Sequence, residues 1–137
     1  MENSLLYNPI HIRWMITKDY NSVIEIEKKS FDVPWTIEEL KNTLRQENLI
    51  GQVAVMNDKV VGYMIYEIYD SYYDILSLAV DPKHRRERIA TMMINKIIRK
   101  MNPNRTSVLT CIREKNLAGQ LFFKKQEFIC TEILKNY

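Results

Sequence analysis

The sequence predicts an α/β fold, a mixed sheet with helices on its faces. Three observations carry this reading. Leu49–Met56 and Lys59–Tyr69 are rich in Val, Ile and Tyr, and they flank Asn57-Asp58, a two-residue turn of hairpin type. Positions 89, 90, 93, 94, 97, 98 and 101 form an apolar stripe at helical spacing. After the early hairpin meander, strands and helices alternate to the end of the chain, which favours helices packed on a sheet.

Taken in order, His11–Ile16 reads as a first strand. Thr17 is placed to cap a helix running to about Lys29, with Val23, Ile24 and Ile26 among its apolar positions. Pro34 interrupts. Thr36-Ile-Glu-Glu39 is a capping box: the Thr hydroxyl and the Glu three residues on satisfy each other's free helix-end donors. A helix from Ile37 to about Gln46 follows. After the hairpin, Tyr72–Val80 is a strand and the apolar stripe is a helix. Arg105–Ile112 is a strand, Leu117–Lys125 a helix capped by Asn116, and Phe128–Leu134 a last strand. No repeat, linker or low-complexity tract interrupts this order, so residues 1–137 are expected to form one domain.

Composition narrows the class. With 46% apolar residues the chain supports a packed core, and it has no run of 18 apolar residues to span a membrane. The start of the chain lacks an apolar run ahead of a small-residue cleavage site. Twenty Lys and Arg against 17 Asp and Glu give a net charge of +3, too mild to argue for nucleic acid. The basic residues gather at one loop, without the aromatic interleaving of a strand-binding surface. Cys111 and Cys130 make no Cys-x-x-Cys and have no nearby His, which disfavours both a zinc site and a disulfide framework. A reducing, cytoplasmic setting is the expectation, with no metal.

Chemistry concentrates after the strand that ends at Asp81-Pro82. Lys83, His84, Arg85, Arg86 and Arg88 crowd positive charge where a helix begins. Free N–H groups and the helix dipole make such a point an anion site, and a phosphate-bearing ligand suits it. A solvated basic loop is the competing reading of the same residues.

The stretch Val80-Asp-Pro82 with Arg85-Arg-Glu-Arg-Ile-Ala90 resembles motif A of the GNAT N-acetyltransferases, Val-x-Pro and then Gln/Arg-x-x-Gly-x-Gly/Ala. Arg88 stands where the first glycine belongs. Ser30-Phe-Asp-Val-Pro-Trp-Thr36 is similar to the segment between the first two helices of the RimI branch, the ribosomal-protein-alanine N-acetyltransferases. The segment Arg113–Phe128 is similar to that branch's C-terminal motif, with Glu127 in place of a glycine. These matches run in order over nearly the whole chain.

The resemblance implies an α+β mixed, mostly antiparallel sheet with diverging central parallel strands, and acetyl-CoA as acyl donor. The donor would pair with Leu78, Ala79 and Val80. Its pyrophosphate would rest on Arg85, Arg86, Glu87, Arg88, Ile89 and Ala90, and its pantetheine arm would pass Asn116 and Phe123. The acceptor would be the N-terminus of a protein, a ribosomal protein by analogy, with Trp35 and Tyr66 as contacts. A monomer or weak dimer is expected. RimI-like chains also continue past an Asn-Tyr to one more strand. This sequence stops at Asn136-Tyr137, so the expectation is that either the sequence is truncated or the last strand is missing.

The same resemblance puts the family's base position at Cys111 and its acid position at Phe123. Phe has no ionisable proton, and a cysteine accepts one only as thiolate, with an ordinary pKa of ~8.5. Cys111 also reads as a small buried strand residue. Glu114 is the nearest carboxylate and would act through water, or stand as an exposed charge in a turn. Tyr69, Tyr72 and Tyr73 cluster at a strand connection and are candidates for a peptide contact or a substitute proton donor. An α-amine of pKa ~8 is about 10% neutral at pH 7, and a lysine amine about 0.04%. A site with a weak base therefore suits a protein N-terminus. The rival expectation is a catalytically silent domain of this kind that binds CoA or a protein partner without turnover.

Overall fold

The computed structural model describes residues 9–112, 116–126 and 128–129. Five strands lie in the order β1-β2-β3-β4-β5: β1 is His11–Trp14, β2 Leu49–Met56, β3 Lys59–Ile68, β4 Tyr72–Val80 and β5 Ser107–Thr110. All neighbours are antiparallel except β4 and β5. Four α-helices cover the sheet: α1 Tyr20–Ser30, α2 Ile37–Leu44, α3 Ile89–Ile98 and α4 Leu117–Lys125. The expected last strand, Glu114 and Glu127 lie outside the described residues.

The sheet has a core on each face. On one, Met64, Tyr66, Tyr73, Ile75 and Val80 pack with Ile89, Met93, Ile94 and Ile97 of α3 and Phe123 of α4. On the other, Val53, Tyr63, Ile65 and Ala79 pack with Val23, Ile24 and Ile26 of α1 and Leu40 of α2. Side chains of a strand alternate between faces, so β4 must change phase to serve both cores as it does. It does so at a bulge. Ile65 pairs with Ser77 and Tyr66 with Ile75, which leaves Leu76 without a partner on β3. Tyr73 and Ile75 face α3 before the bulge; Leu78 and Val80 face it afterwards.

Local signals hold where their chemistry is complete. The Thr36 hydroxyl accepts from Glu39 N at 3.1 Å, and the Glu39 carboxylate accepts from Thr36 N at 3.0 Å, so α2 starts as expected. Asn57 and Asp58 both take positive φ, 51° and 62°, as a primed hairpin turn needs. The start of α1 is a correction. Thr17 does not cap it; a 3₁₀ turn over Thr17–Asp19 precedes the helix. Asp19 governs this corner, accepting from Ile16 N at 2.9 Å and from both terminal nitrogens of Arg13 at 2.8 and 3.0 Å. Burial opposes its charge, yet Arg13 and Ile16 N hold the Asp19 carboxyl below its ordinary range. β5 is shorter than expected. Arg105 is taken into a turn by Asn102, and its Nε donates to Tyr69 O at 2.6 Å.

Candidate active site

The site begins where β4 and β5 part. Their pairing ends at Ile75 with Thr110, while β4 runs on to Val80. From Ser77 to Val80 the β4 backbone is paired with β3 on one side and, among the described residues, with no strand on the other. A strand edge of this kind offers N–H and C=O groups to an extended ligand. Leu78 is half-buried, and Ala79 and Val80 are buried, so this stretch presents its backbone rather than its side chains.

The open edge leads directly to the basic turn. Asp81 accepts from Lys83 N at 3.0 Å and starts a 3₁₀ turn over Pro82–His84. His84 Nδ1 lies 3.2 Å from Glu87 Oε1. Arg86 and Arg88 both sit in the left-handed region, at φ 70° and 63°. The missing glycine is therefore felt: a non-glycine residue there costs about 1–2 kcal/mol. Arg88 nonetheless serves as N-cap of α3, and its side chain does not cap the helix. The first helical bond runs from Met92 N to Arg88 O at 3.0 Å. The N–H groups of Ile89, Ala90 and Thr91 thus have no acceptor in the helix. With Arg86 and Arg88 exposed beside them, they form a backbone cradle for an anion.

Arg85 has a different position from the one its charge suggests. Its Nε donates to Val80 O at 3.2 Å and its Nη2 to the Ser30 hydroxyl at 3.3 Å. The side chain ties the turn to the end of β4 and to the last residue of α1. Asn116 caps α4, accepting from Gly119 N at 2.9 Å. A Cβ at Gly119 would fall 2.6 Å from the Asn116 side chain, so glycine is what lets the cap seat. Phe123 is buried between Phe122 and Phe128 on the α3 side.

The opposite face of the splay carries the other groups. Val108 and Ile112 pack on the α3 side, so strand alternation turns Leu109 and exposed Cys111 toward the α1 side. The expectation of a buried strand cysteine is corrected accordingly. Tyr66 is also corrected as an acceptor contact: it is 1% exposed within the α3 core, where Lys100 Nζ donates to its hydroxyl at 3.0 Å. Trp35 is half-buried and packs against the α1/α2 core. Its backbone N donates to Glu27 Oε2 at 3.1 Å. Buried Glu27 also accepts from the Tyr63 hydroxyl, and from Ser77 Oγ at 3.3 Å, directly beyond the bulge. Burial first, and the Glu27 charge second, push the Tyr63 hydroxyl well up from its ordinary pKa.

Two carboxylates escaped the sequence reading. Glu67 on β3 and Asp74 on β4 are directly opposite, on the α1 side, and Asp74 is opposite Leu109 on its other flank. Burial, then the Glu67 charge, hold the Asp74 carboxyl above its ordinary range. Glu67 accepts from Asn48 Nδ2 at 2.7 Å. Tyr69, stacked on Tyr72 at 4.6 Å, is pushed up to about 12, chiefly by its hydrogen bond to Glu67. Of the three clustered tyrosines, Tyr73 turns the other way and is buried against Tyr66. Hairpin arithmetic was the available signal. Pairing Tyr69 with Tyr72 across Asp70-Ser71 brings residue 67 opposite residue 74.

Comparison with known proteins is consistent across sequence and fold. A ribosomal protein bS18-alanine N-acetyltransferase from Haemophilus influenzae is 24% identical over 120 residues, covering 87% of this chain and 81% of that protein. The crystal structure of Ard1 from Thermoplasma volcanium superposes with a TM-score of 0.83 at 28% identity, over 93% of this chain and 88% of that one. That of the ribosomal-protein-S18-alanine N-acetyltransferase from Escherichia coli gives 0.83 at 18% identity, over 94% and 83% of the two chains. The acetyltransferase (GNAT) family model matches residues 20–128. A mixed sheet that splays after β4, a basic turn at the head of α3 and this match together establish that the chain belongs to the GNAT acetyltransferase family.

Proposed function

We propose that the protein transfers the acetyl group of acetyl-CoA to the α-amine of a protein N-terminus, with a ribosomal protein as the acceptor. The observation that carries this reading is an open β4 edge running into an uncapped helix N-terminus, in a chain of this family. The substrate named for the Haemophilus influenzae relative points to the acceptor class, and a ribosomal acceptor is met in the cytoplasm.

On this reading the amides of the pantetheine arm run along the open edge of β4 at Leu78, Ala79 and Val80, where the Val80 carbonyl already accepts from Arg85 Nε. The diphosphate rests on the N–H groups of Ile89, Ala90 and Thr91. Arg86 and Arg88 neutralise it, and Glu87 contributes its place in the turn rather than its charge. Arg85 acts by holding the turn in place. Asn116 sets the start of α4, so that α4 and Phe123 flank the arm. The acceptor enters from the α1 side along Trp35. Its amine attacks the thioester carbonyl carbon; the C–N bond forms, the C–S bond breaks and the thiolate leaves. An α-amine is favoured over lysine because far more of it is neutral at pH 7.

The second reading, a domain that binds CoA or a partner without turnover, draws on Cys111 and Phe123. Neither supplies the proton chemistry expected at those positions. One experiment separates the two. Acetyl-CoA binding is followed by titration calorimetry, and thiol release is followed on a library of N-terminal peptides. Binding with release on free α-amines supports transfer. Binding without release supports the silent domain. Release only with internal lysines of N-terminally blocked peptides rejects the proposed acceptor.

A further inference from the structure

We propose that Asp74 takes the proton from the acceptor ammonium, standing in for the base that Cys111 does not supply. The inference rests on the transfer reading above. Its geometry is independent of it. Asp74 is half-buried, lies two residues before the bulge at Leu76, and points to the same face as Cys111. Asp74 is opposite Leu109, and Cys111 follows two residues on, one past the last paired residue, Thr110. The carboxylate therefore looks onto the face from which an amine reaches the splay.

Its surroundings suit the task. Among the described residues, the charged and titratable groups that face it are Glu67 on β3, Tyr69 and Tyr72 from the hairpin end, and the Cys111 thiol beyond β5. Arg105 is turned away, with its guanidinium over the Tyr73 ring. Glu67 draws a cation in and also opposes ionisation of Asp74, raising its basicity. A carboxylate so raised is still a weak base. It is a weaker base than an α-amine and weaker again than a lysine amine, so the proton is given up more readily by the N-terminus.

The step balances without a further reactant. The ammonium gives one proton to Asp74. The freed lone pair attacks the thioester carbonyl carbon, the C–S bond breaks, and the second nitrogen proton passes to the departing sulfur. Asp74 then returns its proton to water.

The test is the pH profile of kcat/KM on an α-amine peptide, with acetyl-CoA affinity measured in parallel. The wild-type protein uses the ammonium form, so its rate does not follow the free-amine fraction as pH falls below ~8. Asp74→Asn can use only free amine, so its rate falls tenfold per unit below pH ~8. The expected deficit is at least tenfold at pH 6.5 and vanishes near pH 9, with acetyl-CoA affinity unchanged. Glu67→Gln should move the acid limb of the wild-type profile to lower pH. A deficit of the same size at every pH, or none, overturns the role of Asp74 while leaving transfer intact. A wild-type protein that binds acetyl-CoA and releases no thiol overturns the transfer reading, and this role with it.

Discussion

The two faces of the β4–β5 splay are built from different materials. On the α3 side the groups are backbone: the open edge of Leu78–Val80 and the free amides of Ile89, Ala90 and Thr91. On the α1 side they are side chains: Cys111, Asp74, Glu67 and Trp35. The difference teaches where substitution is absorbed. Arg88 replaces the family's glycine, yet it adopts the glycine's left-handed conformation, and the amides behind it stay aimed outward. A function carried by main-chain atoms survives a change of side chain at the price of some strain. A function carried by a side chain leaves with it, and must reappear on a neighbour.

The largest expected effect tests the side-chain face. Cys111→Glu with Phe123→Tyr restores the expected base and acid, each worth ~10²–10⁴ in rate. A rise in kcat of at least tenfold is expected, with acetyl-CoA affinity within about twofold. An unchanged rate in a folded double variant that still binds acetyl-CoA would mean these two positions do not flank the reacting atoms.

The backbone face is next. Arg88→Glu keeps the turn but sets a carboxylate beside the cradle. Charge-assisted hydrogen bonds worth about 1.5–3 kcal/mol are at stake, so acetyl-CoA should bind roughly 10–100-fold more weakly. Arg85→Glu would be a poorer choice, because it also cuts the tether to Val80 and Ser30. Arg88→Gly makes the contrast: removing one exposed charge should cost at most about fivefold in affinity. Equal losses in the two Arg88 variants would break the comparison, since the side chain and not the amides would then hold the ligand. In thermal unfolding, Arg88→Gly should gain between zero and about 1.6 kcal/mol. Relief of about 1–2 kcal/mol of left-handed strain is offset by about 0.4–1 kcal/mol of added unfolded-state freedom.

The smallest effect concerns stability against pH. Asp74 is held above its ordinary range by burial and by Glu67. A raised carboxyl favours the protonated fold, so its stabilisation is complete below the unfolded pKa of ~3.9 and is lost as pH rises through the folded value. Asp74→Asn should therefore unfold at higher urea than wild type at pH 7. The gain is set by like charges directly opposite on a sheet, about 0.2–1 kcal/mol, and should disappear below about pH 4. No gain at pH 7 would show that Glu67 and Asp74 do not oppose each other.

Much of the architecture could be read from the chain, because its signals are local. The Thr36 box, the Asn57-Asp58 turn and the stripe of α3 each draw on residues a few positions apart. Thr17 misled because a longer-range partner, Arg13, recruits Asp19 and sets the corner in its stead. The site was read unevenly for the same reason. The basic turn is contiguous and was found. Tyr66 reads as an acceptor contact because an aromatic on a strand does not declare its face, and only the register across three strands buries it. The Ser30 hydroxyl that holds Arg85 lies 55 positions away and left no local trace.

The unpaired residue at Leu76 also decides where this chain tolerates a change of length. Removing it would restore an unbroken ladder with β3 and exchange the faces of everything that follows. Ser77 would turn into the apolar layer beneath α3, and Leu78 would turn onto Glu27 in the opposite layer. An insertion one position away would do the same. The connections at Asp70-Ser71 and Pro103-Asn104 lie at exposed ends of the sheet, where an extra residue disturbs no alternation. Among relatives, β4 should therefore keep its residue count between Tyr72 and Val80, while those two turns vary in length.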